Sequence, residues 1–144
     1  MGRRTLVVSP RADGRFDCRY AHWGVTTDPV AQSRQLGSGW SAERVLGVLN
    51  AGFDRLLVRD DGPRRYCVCW LDPTLSDPDD IALARTDDPD GLREWWTVAK
   101  SDASAAVADG IDPDRVRAWL LARLAASAEA VHRPDDAWFL SDGR

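Results

Sequence analysis

Arg4-Thr5-Leu6-Val7-Val8, a polar turn at Ala12-Asp13-Gly14, and Arg15-Phe16-Asp17-Cys18-Arg19-Tyr20 decide how this chain is read. Two runs of β-branched and aromatic residues joined through Asp-Gly are the signature of a β-hairpin. The return strand leads into Ala21-His22-Trp23-Gly24, where one of the chain's two histidines meets a tryptophan and a glycine. Counting by twos, Phe16, Cys18, Tyr20 and His22 share one strand face, and Phe16 and Cys18 mark it as the buried one. His22 is therefore expected at the rim of the core. Trp23, on the opposite face, is the expected contact residue, and Gly24 the exit from the sheet.

Working outward, residues 25–40 show no clear period and contain Pro29, Gly37 and Gly39, so they read as a loop with a short helical turn from Pro29 to Gln35. Ser41 is a good N-cap, and Val45, Leu46, Leu49 and Phe53 recur at helical spacing, which predicts a helix over 42–51. Asp54 to Arg59 and Arg65 to Leu71 read as a second hairpin across Asp60-Asp61-Gly62-Pro63. Both faces of Arg65–Leu71 are apolar after the first residue, which marks a central strand covered on both sides. Ile81–Arg85 is expected as a short edge strand. A helix should start near Pro89 or Asp90, continue or break near Ser101-Asp102, and end by Gly110. Asp112-Pro113 opens another helix, running to about 131. Ala137–Leu140 is expected as a last strand. These elements predict one α+β domain over 1–144: a mainly antiparallel sheet built from hairpins, with three or so helices packed on a face.

Composition narrows the function classes. The chain has 144 residues, a 44% hydrophobic fraction and no run approaching ~18 apolar residues, so it reads as a globular protein without a membrane span. Only Leu6-Val7-Val8 follows the basic start before Ser9-Pro10, too short for a signal-peptide core, and position 6 is wrong for myristoylation. A cytoplasmic setting is expected. Of 19 basic residues 18 are Arg, and of 23 acidic residues 20 are Asp, the pattern of a salt-adapted, GC-rich microbe. A net charge of −4 argues against nucleic acid as a partner. Neither a Gly-x-Gly-x-x-Gly fingerprint, a phosphate-loop lysine nor a Gly-x-Ser-x-Gly elbow occurs.

Four constellations remain. His22 at a core rim could act as a general base with Asp54 or Asp72 as its orienting partner, or simply cap the sheet end. Cys67 and Cys69 share a strand face about 7 Å apart, which suits core packing, or a zinc set with Cys18 and His22. Among seven tryptophans, Trp70, Trp96 and Trp119 fall on expected core faces. Trp95 and Trp96 cannot both face inward, and Trp23 and Trp40 lie in or beside loops, where aromatics mark binding surfaces. Arg15 and Arg19 share a strand face with Asp17, which predicts cross-strand ion pairing, and the Asp-Asp pairs at 60–61, 79–80, 87–88 and 135–136 read as solvated turns.

The string Met1-Gly2-Arg3-Arg4-Thr5-Leu6-Val7-Val8, then Asp13-Gly14, then Cys18-Arg19-Tyr20-Ala21-His22-Trp23-Gly24 resembles small uncharacterised haloarchaeal proteins. Those open with a similar strand and Asp-Gly turn and end the hairpin in Tyr-Ser-His-Trp-Gly; small phage proteins carry a comparable element. The resemblance covers about 24 residues, with Ala21 in place of the serine. It implies a haloarchaeal or viral setting and makes the hairpin a defining element. The expected protein is a non-catalytic binding module with an aromatic groove formed by Tyr20, His22, Trp23, Gly24 and Trp40. It needs no cofactor or metal, and its partner is a protein or small ligand, away from membranes.

Overall fold

The opening hairpin forms as its sequence dictates. In a computed structural model that describes residues 4–22, 34–50, 53–59, 62–74, 80–133 and 140, without the side chains of His22 and Asn50, strand β1 (Arg4–Pro10) pairs antiparallel with β2 (Phe16–His22). Gly14 takes a φ of +80° in the turn between them, a conformation that favours glycine. The rest of the chain adds β3 (Arg34–Trp40), α1 (Ala42–Asn50), β4 (Arg55–Val58), β5 (Arg64–Trp70), β6 (Ile81–Arg85), α2 (Pro89–Ala108), α3 (Pro113–Ser127) and β7 (Ala130–His132). The strands make one sheet in the order β3-β2-β1-β4-β5-β6-β7. Every pairing is antiparallel except β1 with β4, which is parallel because the chain returns to β1 through β3 and α1 rather than through a hairpin. The architecture is α+β, as the hairpin pattern predicts.

The helices pack on both sides of the sheet, not on one. Leu6, Val8, Phe16, Cys18, Leu56, Val58, Tyr66, Val68, Ile81 and Leu83 face α1 and meet its Val45, Leu46 and Leu49. Cys67, Cys69, Leu71, Ala82 and Ala84 point the other way, toward Leu92, Trp96, Ala99 and Ala103 of α2 and Val116, Leu120 and Leu124 of α3. Strand β5 is buried on both faces, as its unbroken apolar run requires.

Caps are placed as the sequence indicates. Arg44 N–H donates to Ser41 Oγ at 3.2 Å, and Asp112 accepts from Asp114 N–H at the start of α3. Asp88 does the same for Gly91 in α2, with Pro89 in the first turn.

Three expectations are corrected. Residues 34–40 are an edge strand, not loop or helical turn; β3 has no hydrophobic alternation because most of it is exposed, and pairing with β2 and the packing of Trp40 hold it. Ile81–Arg85 is an inner strand, since β7 pairs along its far side. Of the two courses left open at Ser101-Asp102, α2 takes the first and runs unbroken. Helix α3 stops at Ser127, where Ala128 turns extended (φ −110°, ψ 161°) and frees Ala130–His132 to pair with β6. The last expected strand lies outside the described residues except for Leu140, which is buried and not in a strand. No described helix is long and apolar enough to cross a membrane.

Candidate functional site

Of the five residues expected to form a groove at the hairpin end, the side chains of Tyr20 and Trp40 are described, and these two sit apart. Across β2 and β3, Phe16 lies opposite Trp40, whereas Tyr20 lies opposite Arg34. Four residues along β2 separate the two aromatics by about 13 Å, so they sit toward opposite ends of the ladder. Both are partly buried and pack on the α1-side core, with the Arg44 guanidinium 4.5 Å above the Trp40 ring and Arg4 6.0 Å from that of Tyr20. The His22 side chain, Trp23 and Gly24 lie outside the described residues.

The two carboxylates considered as partners for His22 are committed elsewhere. Asp54 Oδ1 accepts from Arg93 Nη1 at 2.8 Å, and its Oδ2 accepts from the Arg4 backbone N–H at 3.1 Å. Asp72 Oδ1 accepts from Thr74 N–H and Oγ1–H at 2.9 and 2.7 Å. Asp80 is not a solvated turn residue: it is mostly covered and held between Arg117 and Arg133, each 2.7 Å away. Asp17 accepts from Ser38 Oγ–H at 2.6 Å and from Gly39 N–H, and pairs with Arg11 rather than across the strands.

The cysteines also separate. Cys18 faces α1, while Cys67 and Cys69 face α2, on the other side of the sheet and three strands away. A common ion cannot reach all three, and no cluster of metal-binding side chains occurs among the described residues. Burial, with the Asp17 charge, pushes the Cys18 thiol up to about 11. Hydrogen bonding from Cys69 holds Cys67 below its ordinary value, and the same contact with burial holds Cys69 well above it. All three are buried free thiols.

Two polar groupings escape a sequence reading. Tyr66 Oη accepts from Arg64 Nη1 at 3.0 Å in the α1-side core, and the His132 ring stands edge-on to Tyr66 at 5.9 Å. Arg64 also donates to the Leu140 carbonyl, and all three side chains are buried. His132 was hidden behind a helix expected to run to about 131. The second is Lys100, the chain's one lysine, which lines a hollow of about 230 Å³ beside Trp70 and Trp96. Burial lowers its pKa, against the charges of Asp72 and Asp80. Its ammonium donates to the carbonyls of Trp70 and Asp72 at 2.8 and 2.6 Å, so it pins the turn after β5 rather than standing ready as a nucleophile.

The open apolar surface lies between α2 and α3. A groove of about 380 Å³ is lined by Asp102 and Ala106 of α2, Ile111 of the connection, and Arg115, Val116 and Trp119 of α3. Ile111 is 47% exposed, Trp119 43%, and Val98 along the same flank of α2 61%. Position 119 was expected in the core; instead Val116, Leu120 and Leu124 take the inward line and Trp119 falls on the flank beside it. Arg123 bridges the aromatics, its guanidinium 5.6 Å from the Trp119 ring and 6.0 Å from that of Trp95. The pair Trp95-Trp96 divides as helical geometry demands, Trp96 buried and Trp95 at the margin. Helical spacing alone could not flag this groove, because it depends on how the two helices meet. No family model, curated protein or solved structure matches the chain.

Proposed function

We propose that this chain is a non-catalytic interaction module that binds its partner through the apolar groove between α2 and α3. One observation carries the reading: Trp119 and Ile111, two large apolar side chains, stay about half exposed on either side of a groove of about 380 Å³. Isolated exposed apolar residues are ordinary, but a tryptophan and an isoleucine lining one cleft over the buried Val116 have the makeup of a binding surface. The absence of catalysis is supported by the charged side chains elsewhere: Asp54, Asp72, Asp80 and Lys100 each hold a loop, a strand end or a helix in place. The resemblance of the opening hairpin supports a haloarchaeal or viral setting for the module.

Titration with 1-anilinonaphthalene-8-sulfonate, an apolar anionic probe, tests the groove. The folded protein should bind the probe, and Ile111→Ser with Trp119→Ser should weaken binding by about tenfold. Equal binding by the native protein and the double variant removes the reading.

A further inference from the structure

The outward faces of α2 and α3 differ in charge. On α2, Arg93 and Lys100 turn inward to Asp54 and to the carbonyls of Trp70 and Asp72, which leaves Glu94, Asp102 and Asp109 on the exposed side. On α3, Arg117 turns inward to Asp80 and Asp72 and also holds the exposed Asp114, which leaves Arg115 and Arg123 as the outward charges outside any ion pair among the described residues. One helix thus presents acid and its neighbour presents base. Asp102 and Arg115 line the same groove from opposite sides, and among the described residues neither is held in an ion pair.

Between these charges the surface is apolar and shallow. Val98, Ala105 and Ala108 are exposed on α2, and Ala118, Trp119, Ala122, Ala125 and Ala126 on α3. Alanine faces let helices approach to the short end of the usual 8–10 Å spacing, and Trp119 stands above them as a knob. The groove beside it, at about 380 Å³, is large enough for an indole.

We infer that the groove's occupant is a second copy of this chain, docked about a two-fold axis with α2 of each copy against α3 of the other. This rests on the proposed reading of the groove as a binding surface. A two-fold interface must be self-complementary, and a patch divided into an acidic and a basic helix around an apolar centre meets that condition. Asp102 of each copy then faces Arg115 of the other, and the two Trp119 rings enter the opposite grooves. Helices of 20 and 15 residues overlapping for about 20 Å offer on the order of 500 Å² per copy. The total of about 1,000 Å² is at the lower bound for a specific interface, so the dimer is weak and concentration-dependent.

Sedimentation velocity on the full chain from about 1 µM to about 1 mM, at about 0.1 M salt, tests it. The native protein should pass from monomer to dimer across that range. Asp102→Arg and Arg115→Asp should each weaken dimerisation by at least about tenfold, since each sets like charges opposite one another. An equimolar mixture of the two variants should recover the dimer, because both cross-pairs become attractive again; an unfolded variant could not do this. A native protein that stays monomeric, a dimer indifferent to both variants, or a mixture that fails to recover overturns the inference. If the monomeric protein still binds the apolar probe at Ile111 and Trp119, the groove remains a binding surface for a different protein and only the second copy is lost. If probe binding is absent too, both readings fall.

Discussion

The indole of Trp40 lies directly on the backbone of Gly37: a Cβ at position 37 would stand 2.3 Å from Trp40 Cε2. Both residues belong to the edge strand β3, three positions apart, and Arg44 closes the other side of the ring at 4.5 Å. The glycine is therefore a platform that lets a large ring fold back along its own strand and cover the α1-side core. Gly37→Ala should destabilise the protein by about 1–3 kcal/mol through overpacking. Urea denaturation checks this, and in a Gly37→Ala, Trp40→Ala double variant the loss at position 37 should largely vanish.

Asp54 joins three elements at the open end of the parallel pair, accepting from Arg93 of α2 and from the backbone of β1 while leading into β4. Asp54→Ala should lower stability by about 1–3 kcal/mol, since it leaves a partly buried guanidinium and an amide without their acceptor. Hydrogen exchange should show faster opening at the start of β1 and in the first turns of α2 before any effect on α3.

Tyr66 should tolerate the loss of its hydroxyl poorly. Tyr66→Phe keeps the ring against His132 but removes one of the acceptors of the buried Arg64, whose Nη2 still donates to the Leu140 carbonyl, for an expected loss of about 1–3 kcal/mol. Thermal unfolding checks it. Recovery of most of that loss in Tyr66→Phe with Arg64→Met would show that the fault is the guanidinium's lost hydrogen bond and not a packing defect.

Stability should fall on both sides of neutrality for identifiable reasons. The folded Cys18 thiol titrates at about 11 against 9.0 ordinarily, so its contribution is complete below pH 9 and is lost as pH rises toward 11. Asp17 is shifted the other way: the Ser38 hydroxyl, then Gly39 N–H and Arg11, outweigh desolvation and hold its carboxyl below 3.8. Its contribution is present above pH 3.8 and is lost as pH falls through the folded value. Chemical denaturation between pH 2 and pH 11 should show Cys18→Ala flattening the alkaline limb and Asp17→Asn the acid limb. At pH 8 the folded protein should also resist Ellman's reagent, while the unfolded chain yields three thiols.

Legibility followed how local each cause was. The opening hairpin, the caps at Ser41 and Asp112, and the two-sided burial of β5 depend on neighbours within a few residues, and all are in place. The edge strand β3 was not legible: exposed Arg34, Gln35 and Ser38 carry no alternation, and the residues pair because β2 offers an open edge. The same holds for β7, which takes Ala130 and Val131 from an expected helix because β6 has a free side. Cys67 and Cys69 were correctly read as one face, but that this face is opposite to that of Cys18 follows from strand order alone.

From its sequence alone the chain is an α+β protein with a well-formed opening hairpin, a doubly buried central strand and helices starting at Ala42, near Pro89 and at Pro113. Those properties rest on alternation, helical periodicity and capping, which act over one or two turns of chain. The tertiary structure decided which aromatic residues are buried and which stay exposed. Trp40 folds onto Gly37 and the core, while Trp119, on the flank of α3, is left beside Ile111 in the cleft with α2. Helical spacing tells which residues share a face, but only the crossing of two helices decides how wide that face is and which of its margins remains open to a partner.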